Sequence, residues 1–445
     1  MYQFIESLSA EVIAENPYLL HIGSSAACLI GDIEKHSFYM RMMHEKMLEV
    51  ITRYPDLAEP FKIHFFCDLG VSIREYRKWQ KEELLSEKIT GRCGSATMGI
   101  PFYHRSIRDH SEYYELREED LKLTEETLGV VLGNDFKVIK QALIAGIHYE
   151  RGNLLDAMRH ALLGHMACDE NMHPETLFCI NIIVALILYV MGADNSADKI
   201  MAETDIFIRE KARSLYPNFK AVQAWYALRA GNVDFAKEWL ALYAGNAERP
   251  HLPFYQIGRH FATLRAYIAL KDFPAAIALG KRLQTLTVDY KRPLDQIECG
   301  LLLAIALWHN GDKSKAVKQI EQALRIAEPY GFVQLFINEG REILPLLWKV
   351  QTSVKGGLKQ FADEVIDKIC EKYNLKPDPE KPPSLSPMRR KMLDYLNKEM
   401  SYNEIAKETG IAHATVKRHV HDLYKKLGVN SAEEAIIKAK MLELL

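Results

Sequence analysis

The 445-residue sequence lacks the features of several protein classes. Its seven cysteines are scattered, odd in number and never spaced as CxxC, which favours a protein of the reduced cytosol over a disulfide-stabilised one. The N-terminus has neither the basic segment nor the apolar segment of a secretion signal. A net charge of −2 gives no overall basic field, so any contact with nucleic acid must be local.

Catalytic motifs are also missing. Gly280-Lys281 is followed by Arg282 and has no glycine at the spacing of a Walker A motif, and neither GxSxG nor HExxH occurs. Four potential metal ligands are close in sequence but lack a standard zinc spacing: His160, His165, Cys168 and His173. We therefore expect no enzyme, no cofactor and no metal site.

One apolar run, Leu177 to Ala193, approaches the length of a membrane span. It contains Asn181, has no basic asymmetry at its flanks and falls in register with the neighbouring predicted helices. We interpret it as a buried helix and expect no membrane association.

A motif of about forty residues recurs along the chain. In each copy an apolar helical stretch ends at a Gly, or once a Lys, with Asn or Asp nearby, and an Ala follows five residues later. The alanines are 40, 39, 40 and 40 residues apart: Ala157, Ala197, Ala236, Ala276 and Ala316. A weaker copy begins at Gly31-Asp32, with His36 in the alanine position.

The residue types predict a helical hairpin in each copy. The Gly position ends the first helix in the left-handed conformation, and the small Ala lets the second helix cross closely. One hairpin cannot bury its apolar face alone, so stacked hairpins are expected to form a superhelix with a concave surface. The spacing resembles tetratricopeptide (TPR) repeats, although the unit is longer than usual.

Two segments interrupt or end the array. The stretch from Gly91 to Arg108 predicts a loop; its Phe102–Ser106 part either lines a ligand site or packs structurally, and we favour packing. After Gly356-Gly357, a helix is predicted from Leu358 to Tyr373, followed by a stiff spacer with four prolines, Leu375 to Ser384. We expect an all-α fold with a repeat domain at 1–350, a linker at 351–384 and a third domain at 385–445.

The last sixty residues predict four short helices. The first starts at Ser386-Pro387 and the second at Ser401, where Glu404 completes a capping box. The third runs from about His413 to Leu427, and the fourth starts at Ser431 with a second capping box. A short helix, a glycine turn and a longer basic helix in succession are typical of a helix-turn-helix that reads DNA.

The third helix has two faces. An apolar stripe is formed by Val416, Val420, Leu423 and Leu427. Lys417, Arg418, His421 and Lys425 share a different face, and Thr415, His419 and Lys426 the remaining side. Residues 385–445 carry a net charge of +3 and the rest of the chain −5, which favours docking on DNA through this end.

Residues 385–445 resemble the LuxR-type DNA-binding domain. The motifs that carry the likeness are Leu385-Ser386-Pro387, Ile405-Ala406, Thr415–Val420 and Tyr424–Val429. The resemblance implies that base edges are read by Lys417, Arg418 and His421. It implies phosphate contacts from Thr415, His419, Lys425, Lys426, Tyr402 and Asn403.

In that family the final helix, here Ser431 to Leu442, often pairs two copies of the domain, which implies a homodimer on DNA. Three positions depart from the family pattern: Arg389 stands in place of a Glu, Glu399 in place of a Gly, and Ala412 in place of a Ser or Thr cap.

The end of the repeat array resembles MalT-like regulators, through Arg325–Phe332 and Phe336–Gly340. Those regulators normally begin with a nucleotide-hydrolysing domain, which this sequence lacks, and a sugar can bind their repeats. The resemblance implies a bacterial, cytoplasmic transcriptional activator that binds double-stranded DNA and senses a small-molecule or protein effector on the arm. RNA polymerase is a further candidate partner. The alternatives are a TPR-type protein-interaction scaffold and the regulatory half of a STAND-type ATPase regulator.

Overall fold

The computed structural model describes residues 4–5, 7–46, 49, 52–54, 97–106, 108–115, 118–229, 231–244, 251–375, 385–441 and 444–445. Regular structure within these ranges is helical, and extended backbone pairs only in an isolated bridge between Arg105 and Asp109. The all-α prediction is confirmed. None of the helices in the described ranges is long and apolar enough to cross a membrane, and the run from Leu177 lies mostly in a buried helix.

The described residues up to 375 form an arm of seventeen helices, which contains the predicted repeat region and, as its last helix, the predicted linker helix. Three precede residue 97: α1 (Ala10–Glu15), α2 (Pro17–Ile30) and α3 (Ile33–Glu45). The next eight are α4 (Glu118–Leu132), α5 (Phe136–Glu150), α6 (Leu154–Met166), α7 (Pro174–Val190), α8 (Asp194–Lys211), α9 (Tyr216–Arg229), α10 (Val233–Leu242) and α11 (Ile257–Ala269). The last six are α12 (Phe273–Asp289), α13 (Pro293–His309), α14 (Lys313–Ala327), α15 (Gln334–Glu339), α16 (Leu344–Ser353) and α17 (Gly357–Lys372).

The predicted turns and crossings are present in all five hairpins, α5–α6 through α13–α14. The turn residues have positive φ: Gly152 (76°), Gly192 (78°), Gly231 (76°), Lys271 (61°) and Gly311 (91°). All five repeat alanines are fully buried where the paired helices cross. The weaker copy also turns at Gly31, with φ 87°, and buries His36.

The superhelix closes on itself, which repeat periodicity alone does not predict. The Arg151 Nε donates to the Tyr330 carbonyl at 2.9 Å, and the Asn338 side-chain amide donates to the Tyr149 hydroxyl at 2.9 Å. One apolar cluster contains Val138 from the first hairpin and Phe336 from α15. The concave surface expected from the sequence therefore faces an enclosed interior.

The predicted loop fills part of that interior. Within its described part, from Thr97 onward, the backbone is irregular up to a short 3-10 helix at Ser111–Glu115. Asn218 on α9 donates to the Gly99 carbonyl at 2.8 Å, and the Leu294 N–H on α13 donates to Asp109 at 2.9 Å. The segment is a packed loop that joins distant hairpins. The beginning of the predicted loop, residues 91–96, lies outside the described residues.

Residues 385–441 form four further helices around a small core: α18 (Pro387–Asn397), α19 (Tyr402–Thr409), α20 (His413–Leu427) and α21 (Ala432–Met441). The core contains Met392, Leu393, Leu396, Ile405, Val416, Val420, Leu423, Leu427, Ala435 and Ala439. The predicted linker helix is present as α17, whereas the proline spacer after Leu375 lies outside the described residues.

Candidate nucleic-acid interface

Helix α20 has the bounds and the buried stripe expected from its sequence. It follows Ala412 and ends at Gly428, which adopts φ 68° and closes the last turn. Val416, Val420, Leu423 and Leu427 are each at most 2% exposed. The apolar stripe therefore fixes which side of α20 faces solvent.

Helix α19 is held at both ends. The Ser401 hydroxyl accepts from the Glu404 N–H at 3.3 Å, and the Glu404 carboxylate accepts from the Ser401 N–H at 2.7 Å. These hydrogen bonds to Ser401 hold the pKa of Glu404 below its usual value. Gly410, at φ 69°, makes the turn into α20, as predicted.

The start of α19 also contacts α20 through two tyrosines. The hydroxyls of Tyr402 and Tyr424 lie 3.4 Å apart, and burial raises the pKa of Tyr424 above its usual value. The Tyr402 ring also lies near the ring of His413, with 6.2 Å between centroids. Tyr402 therefore sits at the edge between the turn and the first residues of α20.

The three predicted base-reading residues, Lys417, Arg418 and His421, are all exposed. None of them forms an ion pair or hydrogen bond with any residue that the structure describes. Of the six predicted phosphate contacts, three are exposed (Asn403, Lys425, Lys426) and three are half-buried (Tyr402, Thr415, His419). The structure thus gathers all nine residues on α20 and the first turn of α19, while their roles toward DNA stay predictions.

Each of the three departures from the LuxR-type pattern has a local consequence. Glu399 adopts φ 58°, the left-handed region that glycine occupies at lower cost. Ala412 provides no side-chain cap for α20. Arg389 lies 3.4 Å from Asp422 and so ties α18 to α20 by an ion pair.

The second predicted capping box has one of its two hydrogen bonds, and the other is made to the preceding residue. The Glu434 N–H donates to the Ser431 hydroxyl at 3.1 Å, as predicted. The Glu434 carboxylate instead accepts from the Asn430 N–H at 2.8 Å, one residue earlier than in a capping box. The start of α21 is therefore still held by Ser431.

The structure adds a contact between the two regions that the sequence did not predict. Helix α21 packs against α16 of the arm, and the Arg341 guanidinium lies 2.9 Å from the Glu433 carboxylate. Arg341 also lies over the Tyr373 ring, 4.8 Å from its centroid. No local motif signals this contact, because its partners are about ninety residues apart and both are ordinary surface charges.

A buried ion cluster inside the arm was also missed. Arg105 lies in the packed loop between Thr97 and the 3-10 helix at Ser111 (the central loop), and it pairs with Asp295 and Glu298. Arg265 pairs with Glu298 and Glu339. Burial opposes ionisation here, but Arg105 keeps the pKa of Asp295 and Glu298 below their usual values. The available signal was that Asp295 and Glu298 occur three residues apart on an otherwise apolar helix.

His160, one of the four residues that raised the question of a metal, has other contacts. His160 Nδ1 lies 2.7 Å from the Gln141 side-chain oxygen, and its ring stacks on that of His148. Within the part of the chain that the structure describes, no three His, Cys, Asp or Glu side chains are placed to share a metal ion.

A cationic helix that follows a tight glycine turn on a small helical core defines a helix-turn-helix domain, carried here on an arm of helical repeats. Residues 383–439 match the luxR family of bacterial regulatory proteins, and residues 133–353 match the MalT-like TPR region. The chain therefore combines a MalT-like TPR region with a LuxR-type regulatory domain, as the sequence indicated.

One curated relative is the HTH-type transcriptional regulator MalT of Klebsiella pneumoniae. It is 30% identical to this chain in an alignment of 204 positions that covers 40% of this chain and 22% of the relative. The match thus spans about a fifth of the length of that protein.

Proposed function

We propose that this LuxR-type regulator controls transcription by inserting α20 into the major groove of duplex DNA. The observation that carries the proposal is the exposure of Lys417, Arg418 and His421 on the side of α20 opposite a fully buried apolar stripe. Lys and Arg are the side chains best suited to the acceptor atoms of guanine in that groove.

The phosphate contacts are proposed for Thr415, His419, Lys425, Lys426 and the start of α19, at Tyr402 and Asn403. These residues flank the proposed base-reading face on both sides of the turn. Because cations that neutralise phosphates release counterions, binding should weaken steeply as salt increases.

Effector control is proposed to act through α21. In LuxR-type domains the last helix often pairs two copies, and here α21 contacts α16 and carries the Arg341–Glu433 ion pair. An effector that alters the arm would change this contact and so the presentation of two domains to two half-sites. We propose that the effector is a small molecule or a protein and that the regulator acts as a homodimeric activator, with RNA polymerase as a further partner.

We further propose that residues 1–350 sense, 351–384 connect and 385–445 bind DNA, in the cytoplasm and without catalysis by this chain. The interaction-scaffold alternative is less well supported, because the described part of the central loop already occupies part of the arm's interior. The ion pairs of Arg105 hold that loop inside.

Selection of binding sites from a random duplex library by the full chain tests the proposal. We expect a defined sequence to be enriched and bound with Kd values that rise with salt. Replacing Lys417 or Arg418 by Ala should weaken binding of that sequence by about 1–3 kcal/mol and relax the preference at one base pair.

Lys237→Ala is the matched control, because Lys237 is an exposed lysine on α10 of the arm, far in sequence from α20. It should leave the Kd unchanged. No enriched sequence, or equal affinity of the Lys417→Ala and Arg418→Ala variants and the parent, would exclude the proposed reading face.

A further inference from the structure

The closed arm surrounds a cavity of about 80 Å³. The first helix of every hairpin contributes to its wall, together with α15 and the central loop. A cavity of about 150 Å³ suffices for benzene, so this one fits a ligand of a few heavy atoms. The cavity therefore lies where the central loop meets all five repeats.

The wall combines aromatic surface with buried carboxylates. Phe102, Tyr149, Trp225 and Phe261 provide the rings. Four carboxylates line the cavity (Glu150, Asp295, Glu298 and Glu339) against two guanidinium groups (Arg105 and Arg265). Arg292 also pairs with Asp295, so three guanidiniums and the His104 ring lie beside the four carboxylates.

Glu150 is the carboxylate that this network does not satisfy. It is 2% exposed, and its Oε1 lies 3.2 Å from His104 Nε2. Its Oε2 is buried and receives no hydrogen bond from any residue in the described ranges. A buried carboxylate oxygen without a donor is costly, so a donor supplied by a ligand would be bound strongly.

A second lining residue also has a polar atom without a partner. Both terminal nitrogens of Arg265 are hydrogen-bonded. Nη1 donates to Glu339, and Nη2 donates to Glu298 and Glu339. Its Nε is buried and has no acceptor among the described residues. Glu150 and Arg265 thus each keep one polar atom without a partner among the described residues, whereas the other carboxylates of the wall are paired with guanidiniums.

We propose that this cavity binds a small organic cation, a protonated amine on a short apolar body, with its N–H donors on Glu150. Aromatic rings beside a carboxylate favour an ammonium group over a neutral or anionic one, because the ring faces and the carboxylate both attract positive charge. The inference deepens the effector part of the proposed function, but the binding step does not depend on DNA.

The test uses ethylammonium, with three heavy atoms, as the probe and the full chain without DNA. Thermal unfolding is followed by tryptophan fluorescence, which includes Trp225 in the cavity wall. At ten times its Kd, ethylammonium should raise the midpoint by about 2–4 °C. Equal concentrations of ethanol and sodium acetate, which have the same number of carbons but no positive charge, should produce no comparable rise.

Glu150→Gln should weaken ethylammonium binding at least about tenfold, because it removes the charge and keeps the side-chain size. Glu203→Gln is the matched control, since Glu203 is largely exposed on α8. If Glu150→Gln fails to fold, the Kd values of ethylammonium, ethanol and acetate for the parent chain, from ligand-observed NMR, decide in its place.

Equal effects of the three probes would overturn the proposal, as would unchanged binding by Glu150→Gln. DNA selection is measured separately and without amine, so failure of the cation site leaves the helix-turn-helix proposal standing, and the reverse also holds.

Discussion

The arm and the C-terminal domain place their charges in opposite ways. In the arm, Arg105 and Arg265 are buried and paired with carboxylates of distant helices. In the C-terminal domain, Lys417 and Arg418 are exposed and have no partner among the described residues. A charge that holds a fold together must be paired away from water, whereas a charge that recruits a polyanion must stay available. The burial of a cation therefore excludes it from contact with DNA, whereas exposure leaves it available.

The largest expected difference is in the free energy of unfolding, when either a buried cation of the arm or an exposed cation of α20 is removed. Arg105→Ala should lower the free energy of unfolding of the arm by about 3–5 kcal/mol, because Asp295 and Glu298 lose a buried partner. Arg418→Ala should change it by less than about 0.5 kcal/mol. Urea unfolding by tryptophan fluorescence separates the regions, since all five tryptophans precede residue 350. Similar midpoints for the two variants would break the comparison.

A second prediction concerns the stability of the arm when the pH is lowered. Burial lowers the pKa of His260 to about 4 and that of His110 to about 3, against 6.5 ordinarily. Both histidines then bind protons more readily in the unfolded chain, so the stability they contribute is present above pH 6.5 and is lost as pH falls toward 4.

Urea midpoints at pH 7 and pH 5, read from tryptophan fluorescence, check this prediction. The midpoint should be lower at pH 5, and His260→Gln, which cannot gain the proton, should show a smaller decrease. The interval lies above the range in which Asp295 and Glu298 titrate, since their pKa values are below the usual ones. An unchanged midpoint would show that these histidines do not limit stability.

The smallest effects are expected in the C-terminal domain, at two departures from the family pattern. Glu399→Gly relieves a left-handed φ and should stabilise the domain by up to about 1 kcal/mol. Ala412→Ser supplies the missing cap of α20 and should add about 1 kcal/mol. Thermal unfolding followed by circular dichroism measures both. As a control, Glu408→Gly within α19 should destabilise, because its backbone is helical.

The sequence predicted what local periodicity and capping determine. The bounds of α20, the glycine turns and the buried repeat alanines follow from residues within one turn or one hairpin of each other. The closure of the superhelix, its cavity and the ion pairs of Arg105 do not follow from local residues, because the residues in contact are 179 to 193 positions apart in the sequence. The docking of α21 on α16 is equally nonlocal. The exposed face of α20 was predictable from helical angles. Its contact with DNA does not follow from the fold alone.

Lysine acetylation footprinting with and without a selected duplex tests the central claim most directly. The claim is that the exposed cations of α20 meet DNA and those of the arm do not. We predict that Lys417 and Lys425 lose reactivity when the duplex is added, while Lys199 and Lys237, both largely exposed on the arm, keep theirs. Protection of the arm lysines with undiminished reactivity at Lys417 would contradict the account.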